Sequence, residues 1–154
     1  MLQPVKKINL TRGNQKINVA VVVADFNETI TRGLLDGSLR ALRDSGLKKS
    51  SFTVYHVVGS FEVTQLAMRL AKTKRFKVIV CLGAIIKGET SHDQHLARAV
   101  TDGLLRVGLD TGVLVGLGVI TTNNLKQARA RSANDKYNRG YVAAAAVLSL
   151  IKLV

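Results

Sequence analysis

Gly88-Glu89-Thr90-Ser91-His92 is the segment of this sequence best suited to chemistry. A glycine and two hydroxyl residues ahead of a helix start expose backbone amides, and these make a natural cradle for a phosphate. His92 closes the segment. An imidazole titrates near neutrality and moves protons in either direction. The plain alternative is an incidental loop histidine. His56 falls within an apolar run and His95 on a helix start, so neither is placed as well. No GxxxxGK[ST] or GxGxxG pattern occurs, which removes the common nucleotide-binding loops.

Three more segments carry candidates. Asp25-Phe26-Asn27 follows an apolar run, so the Phe26 ring either faces a cleft, where a flat heteroaromatic ligand could stack, or plugs a helix start. In Gly59-Ser60-Phe61-Glu62, Gly59 permits close backbone approach, and Ser60 is read as a helix N-cap. Glu62 either accepts hydrogen bonds from ligand hydroxyls or complements the helix dipole. Arg131 and Arg139 lie in or just after a short helix in the most basic stretch. Arginine grips phosphate with two parallel hydrogen bonds, and solvated surface charge is the alternative. Cys81 lies inside Val78-Ile79-Val80-Cys81-Leu82 and reads as a small buried hydrophobe rather than a nucleophile. No His/Cys/Asp spacing suggests a metal site.

These segments need a scaffold that brings them together. Four apolar runs, Ile17 to Ala24, Phe52 to Val58, Val78 to Ile86 and Val113 to Ile120, recur along the chain. Three are nearly continuous in Val, Ile and Leu, as in parallel strands covered on both faces. The second is mixed and suits an edge. Helical spacing lies between them: Ile30 to Leu42, Val63 to Leu70, Leu96 to Val107, and a short helix capped by Asn123 or Asn124. The last helix, Tyr141 to Leu153, is apolar on nearly every side. It must be buried all round, which points to a subunit interface. Alternating strands and helices imply right-handed crossovers and an open parallel sheet. Ligands bind such sheets outside the carboxyl ends of the strands. Asp25 to Asn27, Gly59 to Glu62, Ala84 to His92 and Thr121-Thr122 should therefore share one edge.

Bulk composition agrees with this frame. The 154 residues fit one domain, with residues 1–14 as an N-terminal arm, and 47% are hydrophobic. A single cysteine excludes an intrachain disulfide and suits a reducing compartment. No secretory leader is expected, and the longest apolar stretch, Val142 to Ile151, is short of the ~20 residues that span a bilayer. A soluble, cytoplasmic protein is expected. The net charge of +13 is large, but aromatics are only 5% and tryptophan is absent. This composition favours a solvated basic surface over specific nucleic-acid recognition.

The order and spacing of the motifs resemble the lumazine synthase family across nearly the whole chain. The family's first strand ends in a basic residue followed by Phe-Asn, here Asp25-Phe26-Asn27. Its second ends in Pro-Gly-Ala/Ser-Phe/Trp-Glu, here Val58-Gly59-Ser60-Phe61-Glu62. Its third reads Leu-Gly-x-x-Ile-Arg/Lys-Gly-x-Thr-x-His, here Leu82 through His92. Its fourth ends Gly-Val-Ile-Thr-Thr, here Gly118 to Thr122.

The resemblance implies an α/β fold: a three-layer αβα sandwich around a four-stranded parallel sheet in flavodoxin-like order. It implies a transferase of riboflavin biosynthesis. The family condenses 5-amino-6-ribitylaminouracil with 3,4-dihydroxy-2-butanone 4-phosphate to 6,7-dimethyl-8-ribityllumazine, phosphate and water, without cofactor or metal. By the same resemblance, Phe26 stacks on the pyrimidine with Asn27 nearby. Ser60, Phe61 and Glu62 hold the ribityl chain, and Ile85 and Ile86 contact the ring. Gly88, Glu89, Thr90 and Arg131 hold the phosphate, His92 shuttles protons, and Arg139 replaces a lysine near the pyrimidine. The family's site lies between adjacent subunits of a pentamer, and some members build icosahedral shells. Leu117 stands where an aromatic often lines the neighbouring subunit's side. Riboflavin synthase is a further partner of the family. Asp25, Val58, Leu117, Asp93-Gln94-His95 and Asp135 depart from the pattern. They leave a noncatalytic lumazine- or flavin-binding or shell-forming paralogue as the alternative.

Overall fold

A computed structural model describes residues 3–10 and 16–154. Its elements run β1 (Val19–Ala24), α1 (Glu28–Asp44), a 3-10 turn (Lys49–Ser51), β2 (Phe52–Val57), α2 (Ser60–Lys72), β3 (Val78–Ile86), α3 (His92–Thr111), β4 (Leu114–Thr122), α4 (Leu125–Ser132) and α5 (Arg139–Ile151). All four strands are parallel, in the order β2-β1-β3-β4. The mixed run Phe52 to Val57 is an edge strand, as its composition predicts.

The period of two along each strand sorts side chains into two core layers. Val19, Val21 and Val23 of β1 join Val78, Val80 and Leu82 of β3 on one face, under Leu34 and Leu42 of α1 and Leu148 of α5. Ala20, Val22 and Ala24 join Ile79, Cys81 and Ile85 on the other face, under Val63 and Ala67 of α2 and Val100 and Leu104 of α3. Every residue of β1 is buried, which is why the run shows no polar alternation. The result is the expected three-layer αβα sandwich. Burying a side chain such as Leu34 or Leu42, both 0% exposed, contributes about 1.5–3 kcal/mol.

Several boundaries differ from the sequence reading. Ile17 is buried but precedes the strand, which starts at Val19. β4 runs on to Thr122, because Thr121 and Thr122 pair with Ile85 and Ile86. Ser60 is not the cap of α2. Gly59, in extended conformation at φ −144° and ψ 174°, holds that position, and Ser60 is the first helical residue. The last helix begins two residues early, at Arg139, because the Asn138 side chain caps it by accepting from Tyr141 N. That helix is not buried all round either. Ala146 and Leu150 are exposed in the single chain, since α1 and the sheet cover only one side of α5.

Residues 1, 2 and 11–14 of the expected arm lie outside the described residues. Residues 3–10 form no helix or strand. Ile8 and Leu10 pack against the α1 and α5 layer, and Leu10 N donates to Ser45 O at 2.8 Å. No helix among the described residues is long and apolar enough to cross a membrane.

Candidate active site

The carboxyl ends of β1, β2 and β3 open on a cleft of about 510 Å³. Its walls come from three separate strand-to-helix turns: Phe26 and Asn27, Gly59 to Glu62, and Ala84 to His92 without Lys87, Glu89 or Ser91. This is the size of pocket that takes a small organic ligand.

Each turn holds its side chains in a definable way. Asn27 caps α1 in the left-handed region, at φ 61° and ψ 47°. Asparagine tolerates that conformation better than most residues. Its Nδ2 donates to Ala84 O at 2.9 Å, tying the end of β1 to β3. The backbone of Asp25 and Phe26 continues the pairing with β2, donating to Val57 O and Val58 O at 2.8 and 2.9 Å. Phe26 thus stands on a fixed backbone with its ring 70% exposed, a surface available for stacking.

Ser60 lines the cleft but is otherwise buried. A Cβ on Gly83 would lie 2.5 Å from Ser60 Oγ, so the start of α2 seats on β3 only because Gly83 lacks a side chain. Glu62 falls in the first turn of α2, where a carboxylate gains from the helix dipole. Its Oε2 lies 3.0 Å from where a Gly59 Cβ would be. The carboxylate therefore hangs over a bare backbone, free to accept from a hydroxyl-rich ligand.

Gly88 to Ser91 lead into α3, a helix of 20 residues that starts at His92. His92 N is drawn to Thr90 Oγ1 at 3.3 Å, which shapes the turn. Asp93 and Leu96 complete the wall. The sequence reading did not place these two in the site. Leu96 follows His92 by one helical turn, and that i, i+4 spacing was the available signal. Asp93 Oδ1 is buried with no hydrogen-bond partner, an acceptor left for a bound group. Outside the lining, His56 Nδ1 and Asp25 Oδ1 are 2.8 Å apart.

Four expected residues fall outside this cleft in the single chain. Glu89 is exposed on the loop. Arg131 lines a second, polar hollow of about 580 Å³ with Lys87, Arg98, Thr121 and Thr122, and its Nη1 donates to Gln127 O at 3.2 Å. Arg139 opens α5. Leu117 is 53% exposed on β4, beside Leu105, Leu109, Leu114 and Leu150. No group of three metal-binding side chains occurs among the described residues. Burial pushes the Cys81 thiol up to about 12, so it stays protonated and unreactive.

Residues 16–154 match the family model of 6,7-dimethyl-8-ribityllumazine synthase. The chain belongs to that family. It is 38% identical over 134 residues to the 6,7-dimethyl-8-ribityllumazine synthase of Syntrophus aciditrophicus (strain SB), covering 87% of each chain. The turns that build the cleft all lie inside the matched region, which begins just ahead of β1. Membership of the lumazine synthase family therefore extends to the three turns that carry Phe26, Glu62 and His92.

Proposed function

We propose that the chain condenses 5-amino-6-ribitylaminouracil with 3,4-dihydroxy-2-butanone 4-phosphate to 6,7-dimethyl-8-ribityllumazine, as its family does. The observation that carries this is the convergence of Phe26, Glu62 and His92, from three different turns, on one cleft. Phe26 stacks on the pyrimidine beside Asn27, and Ile85 and Ile86 flank the ring. Ser60, Phe61 and Glu62 take the ribityl chain, where the free carboxylate of Glu62 suits a row of hydroxyls. Gly88, Glu89 and Thr90 at the amino end of α3 take the phosphate, helped by the helix dipole.

The reaction needs positioning more than exotic groups. The uracil's primary amine attacks the ketone carbon, and water leaves to give a Schiff base. A proton leaves the hydroxyl-bearing carbon as the phosphate C–O bond on the next carbon breaks, the enol so formed tautomerises to a ketone, and the second amine then attacks that carbonyl and closes the ring with loss of water. Holding both substrates in one cleft makes these steps effectively intramolecular. His92 accepts the proton released by the attacking amine and returns it to the departing oxygen, worth about 10²- to 10⁴-fold.

In this reading the working unit is an oligomer, a pentamer or a shell of pentamers, formed by one domain spanning residues 1–154 with 1–14 as its arm. Leu117, Arg131 and Arg139 then reach the cleft from a neighbouring copy: Arg131 to the phosphate, Arg139 and Leu117 to the pyrimidine side. The exposed leucines around Leu117 support such packing, because one chain leaves Leu105 62% and Leu109 74% exposed. The cytoplasm is the fitting location. Riboflavin synthase, which consumes the product, is the candidate partner.

The test mixes purified protein with both substrates and follows lumazine absorbance against an enzyme-free control. Acceleration that saturates in both substrates supports the reading. A rate equal to the control, with tight lumazine binding, replaces it with the noncatalytic paralogue.

A further inference from the structure

The +13 net charge is not evenly spread. Residues 45–61 and 63–88 contain no aspartate or glutamate, and these stretches supply the amino ends of β2 and β3. The edge of the sheet opposite the cleft therefore collects Lys48, Lys49, Lys72, Lys74, Arg75 and Lys77, all exposed. Lys16, ahead of β1, extends the group.

The register shows that they share one surface. Val19 is level with both Phe52 and Val78. Lys77 N donates to Asn18 O at 3.0 Å, and Asn18 Nδ2 donates to Arg75 O at 3.3 Å. The Phe76 ring meets Tyr55 of β2 edge-on at 6.3 Å, which lays the turn before β3 across the strands. Adjacent strands are about 4.8 Å apart, so three strand starts span only about 10 Å. Three carboxylates of the described residues lie towards this end, and each is engaged: Asp135, which lines one hollow with Asp44, accepts at Oδ1 from Tyr137 N at 2.7 Å. Asp44 Oδ2 accepts from Tyr141 Oη at 3.0 Å, and Asp110 is paired with Arg106 at 3.7 Å. Like charges this close, within about a Debye length of 8 Å, repel one another unless a polyanion neutralises them.

The kind of polyanion follows from what the surface lacks. The large exposed hydrophobics are not interleaved with these cations: Phe26 and Phe61 lie at the cleft, Leu105, Leu109, Leu117 and Leu150 group with Leu114 on the β4 side, at the other edge of the sheet from β2, and Phe76 is buried. A face that settles on a lipid bilayer needs apolar groups to insert. A face that reads single-stranded bases needs exposed rings to stack on. Neither is present, which leaves contact with phosphates alone. We propose that this edge binds the phosphate backbone of nucleic acid without reading its sequence. The surface is separate from the cleft and does not depend on the reaction assigned there.

Fluorescence anisotropy with two labelled DNA duplexes of unrelated sequence, each about 20 base pairs, tests this across a salt series. The two should bind equally, with a slope of log affinity against log salt of about −5 for six cations. Reversing K48E, K49E, K74E and R75E together should weaken binding more than about tenfold at low salt and flatten the slope by about 4. Circular dichroism and gel-filtration volume check that this variant still folds and assembles. Should it not, the neutral pairs K48Q/K49Q and K74Q/R75Q give the same test with smaller effects. A control reverses R32E, R98E, K126E and R129E, exposed cations of α1, α3 and α4 that lie outside this group. Equal loss in the control would reduce the effect to net charge and overturn the proposal. So would absent binding, a strong preference for one sequence, or tighter binding to phosphatidylserine vesicles than to DNA.

Discussion

Asn27 bridges the first turn of the cleft to its floor: its Nδ2 donates to Ala84 O at 2.9 Å while its own backbone sits at φ 61°. The two properties demand different things of a replacement. Asn27→Ala loses the bond and keeps the strained backbone, and should cost about 1–3 kcal/mol in urea unfolding. Asn27→Gly loses the bond but relaxes the backbone, and should cost about 1 kcal/mol less. Both should raise KM for the pyrimidine substrate, because Phe26 is the adjacent residue. An alanine variant as stable as the glycine variant would show that the left-handed backbone carries no penalty here.

Gly83 and Ser60 make a second such pair. Gly83→Ala puts a methyl 2.5 Å from Ser60 Oγ, and overpacking of this kind costs about 1–3 kcal/mol. The first turn of α2 should shift outward and carry Glu62 with it, so kcat/KM should fall together with stability. Adding Ser60→Ala opens room for the methyl. The double variant should recover most of the stability but not the activity. Simple additivity of the two stability losses would mean the two residues do not oppose each other.

His92 is exposed at the start of α3 and packs into neither core layer. His92→Ala should leave the unfolding midpoint within about 0.5 kcal/mol of the parent. It should lower kcat about 10²- to 10⁴-fold with little change in KM. Stopped-flow measurement of lumazine formation separates the two parameters. A kcat within a few-fold of the parent would take the proton transfer away from His92.

Cys81 offers a pH test. Burial raises the thiol from 9.0 to about 12 in the folded chain. The folded state therefore holds its proton where the unfolded state has lost it. Its contribution to stability is complete below pH 9 and is lost as pH rises from 9 towards 12. The Cys81→Ala chain should lose less stability over that window than the parent, although it starts lower for want of packing. Alkylating reagents should modify the parent only at its unfolding rate. Rapid labelling of the folded chain at pH 8 would show that the thiol is reached without unfolding.

Much of this architecture was legible in the sequence because burial on both faces leaves a plain mark. Val78 to Ile86 needed no correction, since both core layers demand apolar residues there. The edge β4 was read two residues short because Thr121 and Thr122 look polar, yet hydrogen bonding to Ile85 and Ile86 keeps them in the strand. Phe26, Ser60, Glu62 and His92 were found because the ends of parallel strands meet on one side. Leu117 comes from the family resemblance alone, whereas Arg131 and Arg139 stand out by the basic stretch that holds them, and none of the three lines the cleft of the single chain. The cap was assigned to Ser60 because serine is a common capping residue, but Gly83 offered its hydroxyl side a closer seat. Asn138 is a further cap, of α5. Its signal was an asparagine three residues ahead of Tyr141, the spacing of a helix N-cap.

Asn138 supports the final prediction. It is 1% exposed and lies between α4 and α5. Its Nδ2 reaches the carbonyls of Gly33, Ala133 and Ser132 at 2.9, 2.9 and 3.1 Å, and its Oδ1 accepts from Tyr141 N at 3.0 Å. On the facing helix, a Cβ at Gly37 would fall 1.9 Å from Asn138 Oδ1. One side chain thus holds the segment between Arg131 and Arg139 against α1. Asn138→Ala leaves buried carbonyls and an amide without partners and should cost about 2–4 kcal/mol. Asn138→Asp keeps the acceptor for Tyr141 N but cannot donate, and it sets a carboxylate against three carbonyls. It should do no better than alanine. Gly37→Ala should be destabilising alone, yet close to neutral in the Asn138→Ala background, where the methyl enters the vacated space. Because the two arginines flank this segment, any Asn138 variant that still folds should show a raised KM for the phosphate-bearing substrate and a smaller change in kcat. Equal loss in both parameters would make Asn138 a cap for α5 and nothing more.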